Sequence, residues 1–163
     1  MSILSGFSSD EITQLVDTPG AVITAITIAD GRPRLLSLRR ATAQIVTIFR
    51  AARQDENELI RAVALAMQDR PEEPEELESD TDLLYPDPER EAARAVEAVV
   101  TSIALLRDRA ETTDVDEYAA WLVGIASQIA EVTAKRGGLF GRRVRTSPPE
   151  QALIDRLRAA VSD

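Results

Sequence analysis

Apolar residues recur along this chain at spacings of three and four, the period of α-helices with one buried face. No segment alternates apolar with polar residues strongly enough to make a strand. Ser8-Ser9-Asp10-Glu11 has the form of a capping box, the Ser8 hydroxyl and the Glu11 carboxylate each answering an orphan N–H, and it opens a short helix to about residue 16. Asp17-Thr18-Pro19 restarts the chain, with Thr18 as N-cap and Pro19 as the first helical residue. The nearly all-apolar helix that follows, over 19–29, stops at Asp30-Gly31 and Pro33. A third helix is expected from about 35 or 37 to 53. Leu38, Ala41, Ile45, Ile48, Phe49 and Ala52 form its inner face, and Arg39, Arg40, Arg50 and Arg53 lie mostly away from it. A fourth covers 56–69, turning Leu59, Ile60, Val63 and Met67 inward, and Pro71 ends it.

Asp87-Pro88-Glu89 opens the longest expected helix, to about residue 110. Its stripe of Ala92, Val96, Val99, Ile103, Leu106 and Ala110 is widened by Ala95, Val100 and Leu105, which places it centrally. Asp114 to Glu117 fits a second capping box for a helix to about residue 135, with Val115, Tyr118, Leu122, Ile125, Ala126 and Ile129 inward and Trp121 beside them. Gly124 in its middle costs about 1 kcal/mol relative to alanine, which a close helix crossing would explain. Ser147-Pro148-Pro149-Glu150 opens a last helix burying Leu153, Ile154, Leu157 and Val161. The expected fold is all-α. It is one domain over 1–163, a bundle of about seven helices with no sheet, carrying an acidic, proline-interrupted linker at about 71–87.

Composition narrows the chemistry. The 163 residues include no histidine and no cysteine, and Lys135 is the only lysine. That inventory removes the imidazole base and metal ligand, the thiolate nucleophile and the disulfide. Any site must be made of carboxylates, arginines, hydroxyls and backbone amides, so no catalytic residues are assigned and an enzyme is not expected. Paired carboxylates for acid–base work could come from Glu97, Glu131 or Asp114, but no spacing selects a pair. A length of this size and 44% apolar residues suit a core that needs no metal or disulfide, and no cofactor is expected. No apolar run reaches the roughly 18 residues of a membrane span. The first residues lack a basic start before a long apolar run, so no signal peptide is read. With cysteine absent, a cytoplasmic setting is expected.

The net charge of −9 is local. Ten of the 28 acids lie within 71–91 against one base, Arg90, which leaves 18 acids and 18 bases in the remainder. The acidic stretch reads as a solvated linker, within which Leu83-Leu84-Tyr85 is the part suited to docking; gathering divalent cations is the alternative. A second unit, residues 135–145, combines Lys135, Arg136, Arg142, Arg143 and Arg145 with Gly137, Gly138 and Gly141, and carries Leu139 and Phe140 between them. Glycines let backbone N–H groups approach an anion, so this loop is the candidate anion- or partner-binding site; structural capping is the competing reading. Arg32, Arg34, Arg39 and Arg40 form another basic group. The acidic balance and the lack of interleaved aromatics argue against nucleic acid there.

The run Ala130 to Gly141 followed by Ser147-Pro148-Pro149-Glu150 resembles the C-terminal signature of uncharacterised bacterial all-helical proteins. The Ala29-Asp30-Gly31 step before a Ser-led helix is similar to the tellurite-resistance TerB-like helical fold, a likeness that implies metal stress. The expected function is a non-enzymatic helical protein acting through protein–protein contact, as a homo-oligomer or an accessory subunit. The alternative is a TerB-like stress-response module binding a divalent cation through carboxylates.

Overall fold

The computed structural model describes residues 2–70, 86–134 and 146–163, and residues 136–137 and 142–143 by their backbone. A 3₁₀ turn, Ile3–Gly6, leads into six helices: α1 Ser9–Ile28, α2 Leu35–Ala52, α3 Glu58–Gln68, α4 Pro88–Arg107, α5 Thr112–Thr133 and α6 Pro148–Ser162. The protein is a helical bundle. The one strand pairing among the described residues is a two-residue antiparallel contact, Arg136–Gly137 with Arg142–Arg143.

Several helix starts follow directly from side-chain chemistry. The Ser8 N–H donates to Glu11 Oε2 at 2.7 Å and the Glu11 N–H to Ser8 Oγ at 3.3 Å, closing the expected box. Ser147 and Glu150 do the same for α6, and Asp87 with Pro88 begins α4. Arg109 clamps the first of these boxes from the far end of α4. Its Nη1 lies 2.7 Å from Glu11 Oε2 while the guanidinium stacks over the Phe7 ring at 5.3 Å. This hydrogen bond, with that from Ser8, holds the Glu11 carboxyl below its ordinary value, and Glu11 raises Arg109 in turn.

The expected break at Asp17-Thr18-Pro19 does not occur, because α1 runs through Pro19 without interruption. A proline there removes the N–H that would bond the Leu15 carbonyl, which normally ends or kinks a helix. Here tertiary partners make up the loss. The buried Tyr118 hydroxyl donates to the Leu15 carbonyl at 3.1 Å. Thr18 caps nothing; its hydroxyl donates to the Gln14 carbonyl at 2.8 Å and lies 2.7 Å from Ser102 Oγ on α4. Gln14 Nε2 reaches the Ala98 carbonyl at 3.3 Å, tying the same turn to α4. Two expected helices are therefore one.

The second capping box also forms differently. Helix α5 begins at Thr112, three residues earlier than the box requires, and Glu111 caps it without a side-chain bond. Glu117 instead accepts from Asn57 Nδ2 at 2.8 Å. Asn57 is the N-cap of α3, its Oδ1 accepting from the N–H groups of Leu59 and Ile60 at 2.9 and 3.1 Å, so one side chain starts α3 and joins it to α5.

The helix at the centre is α5, which packs on α1, α2, α3, α4 and α6. It is also the longest. Helix α4 lies to one side, against α1, α5 and α6, and Val100 faces outward instead of widening its stripe. Trp121 on α5 sits between Phe49, edge-on at 5.9 Å, and Tyr118 at 5.8 Å. No close crossing accounts for Gly124: a Cβ built there would meet only Gln128 Nε2, at 3.8 Å.

Candidate functional site

Between α1 and α2 the chain turns a tight corner that the sequence dictates residue by residue. Gly31 takes a φ of 94°, a left-handed conformation that glycine adopts without strain, and its N–H closes the turn onto the Ile28 carbonyl at 2.8 Å. Pro33 disfavours a helical backbone at Arg32 before it, Arg34 is extended, and α2 starts at Leu35 without a side-chain cap or an acid in its first turn.

The corner exposes apolar surface. Leu35 is 75% accessible and Leu36 59%, values far above those of the core leucines, and Leu38 is also exposed. The expectation that Leu38 faces inward is thus corrected, because α2 packs on α5 and α3 only beyond its first turn, from Ala41 onward. Arg34, Arg39 and Arg40 stand exposed around the leucines, and among the described residues no carboxylate pairs with them. Helix α2 itself contains no acid at all. Beside this surface lies a groove of about 740 Å³, walled by Ile28, Gly31, Arg32, Pro33, Leu35 and Leu38 on one side and by Pro86, Asp87 and Pro88 at the start of α4 on the other. The pattern of exposed leucines was hidden in the sequence, since a Leu-rich first turn reads as core until its packing partners are known.

Of the loop singled out from the sequence, the backbone of Arg136, Gly137, Arg142 and Arg143 is described. Arg136 pairs with Arg143 and Gly137 with Arg142, so the two arms of the loop are brought together as a hairpin. Lys135, Gly138, Leu139, Phe140, Gly141 and Arg145 lie outside the described residues, as do 71–85 of the acidic segment. The carboxylates of the divalent-cation reading lie mostly there. Among the described residues no group of three or more acids could hold a metal ion. Asp87, which is described, caps α4 through the Glu89 N–H at 3.3 Å.

The three carboxylates considered for acid–base work do not meet. Glu97 lines a polar cleft between α1 and α4 with Asp17, Glu91 and Arg94. Glu131 lines a different cleft, between α2 and α5, with Arg40, Gln44 and Thr47. Asp114 sits at the opposite end of α5 from Glu131, about 25 Å away along the helix axis. The strongest perturbation of a buried group falls on Tyr118, whose phenol is pushed up by burial against a smaller opposing hydrogen bond from Ser102. That hydroxyl serves the α1 backbone and opens into no cleft named above.

In comparisons with protein-family models, with curated proteins and with solved structures, the chain matches none. Its function is read from its own residues.

Proposed function

We propose that the protein acts by binding another protein, a partner or further copies of itself, as an accessory subunit in the cytoplasm and not as an enzyme. The observation that carries this reading is the corner where Leu35, Leu36 and Leu38 stand exposed beside an apolar groove within a ring of arginines. Single exposed leucines are ordinary on a protein surface. Three in one helical turn, contiguous with a groove, form a patch of the kind that partners cover, and arginine is among the residues enriched at such interfaces. The carboxylates considered for acid–base work support the same reading, since Glu97 and Glu131 line separate clefts and Asp114 lines neither.

The test is crosslinking in the producing cells with a photo-reactive leucine analogue at position 36. An identical analogue at position 100, exposed on α4, is the control. A defined protein adduct from position 36 and none from position 100 is expected. Adducts from neither position, together with monomeric sedimentation, would remove the reading.

A further inference from the structure

We infer that the α1–α2 corner takes an acidic, leucine-bearing peptide segment of its partner, an inference that rests on the protein-binding reading above. Charge complementarity sets the first requirement. Arg34, Arg39 and Arg40 stand exposed at the corner, and no acid occurs on α2. A partner presenting lysines or arginines to this face would be repelled, whereas carboxylates meet forked donors that bind them bidentately. The groove sets the second requirement. Its walls are Ile28, Pro33, Leu35, Leu38, Pro86 and Pro88, with Gly31, Arg32 and Asp87 also on the lining, and such a largely apolar concavity receives discrete aliphatic side chains. Acids alone would leave the leucines wet, and leucines alone would leave the arginines unused.

Other anionic partners fit less well. A bilayer offers a broad anionic plane, whereas a groove between a loop and a helix start suits side chains better than a flat surface. Nucleic acid is disfavoured by the absence of any aromatic ring in the groove wall for a base to stack on. The chain's own sequence supplies a probe of the right chemistry. Residues 72–85 contain seven acids and no base, and end in Leu83-Leu84-Tyr85.

The experiment is fluorescence anisotropy with a dye-labelled synthetic peptide of the sequence 72–85, added to the full chain. A second host carries Leu83→Ser, Leu84→Ser and Tyr85→Ser, which removes competition from the chain's own copy of that triplet. Saturable binding to at least one host is expected. It should weaken on the order of tenfold or more with Leu35→Ser plus Leu36→Ser, by as much with Arg39→Glu plus Arg40→Glu, and with added salt. These positions are exposed, so unchanged helix content by circular dichroism separates lost binding from lost folding. No binding to either host, or equal binding of a peptide whose Leu-Leu-Tyr is replaced by serines, overturns the inference. So does tighter, equally corner-dependent binding of phosphatidylserine vesicles. A crosslink from position 36 without peptide affinity would keep the protein-binding reading and sink this one alone.

Discussion

Removing one hydroxyl from the centre of the bundle should destabilise the fold, and by an amount set by a proline on another helix. Tyr118→Phe deletes the donor to the Leu15 carbonyl, at a position where neither group is accessible to water. Because residue 19 is proline, the helix itself has no N–H to offer that oxygen. Leaving a buried acceptor unpaired costs about 1–3 kcal/mol. In the background of Pro19→Ala, residue 19 regains an N–H aimed at the same carbonyl. There the cost of Tyr118→Phe should shrink by about 1 kcal/mol or more, the coupling that a double-mutant cycle measures. Urea unfolding supplies the numbers, followed by helix circular dichroism and by the fluorescence of Trp121, the only tryptophan, whose ring lies 5.8 Å from that of Tyr118. Coincident transitions from the two probes license two-state free energies. The alkaline limb adds a sign. Burial raises the folded Tyr118 phenol above its ordinary 10.0, so it contributes stability that is present below pH 10.0 and is lost as pH rises above it. Tyr118→Phe should lack that alkaline loss. An equal cost of Tyr118→Phe in both backgrounds, or none in either, would refute the assignment of this hydroxyl to the freed carbonyl.

Gly124→Ala should stabilise by roughly 0.5–1 kcal/mol and raise the melting temperature by a few degrees, since a Cβ there meets only the end of Gln128 at 3.8 Å. A lower melting temperature would mean that something else requires the glycine. Asn57→Ala should cost about 1–2 kcal/mol in chemical unfolding, because it removes the α3 cap together with the tie to Glu117, and an unchanged midpoint would count against both roles. The lowered carboxyl of Glu11 contributes stability that is present above its ordinary 4.5 and lost as pH falls below that value through the folded one. Unfolding curves collected above and below pH 4.5 should therefore show a flatter acid limb for Glu11→Gln than for the natural chain; parallel limbs would show the pair with Arg109 to be idle.

The legible part of this protein was local. Ser8 with Glu11 and Ser147 with Glu150 could be read as helix starts because both partners of each box lie within one turn. The inner faces of α3 and α6 were equally readable, since periodicity reports one buried side directly. Errors came where the deciding partner is remote in sequence. Pro19 reads as a helix start until Tyr118, 99 positions later, is seen to satisfy the carbonyl it frees. Glu117 reads as a cap until Asn57 claims it. Of the candidate site, the arginines at 32, 34, 39 and 40 were visible as a cluster, but Leu38 was assigned to the core.

Sequence alone determined that this chain is helical, where most helices lie, and that its chemistry must do without imidazole, thiol and all but one ammonium side chain. Tertiary structure decided that α1 is continuous, that α5 is the centre, and that the first turn of α2 overhangs the bundle with its leucines exposed. The physical reason is the reach of the interactions. Capping and periodicity act within a turn or two, whereas burial and the satisfaction of a freed carbonyl depend on which distant helix arrives to meet them.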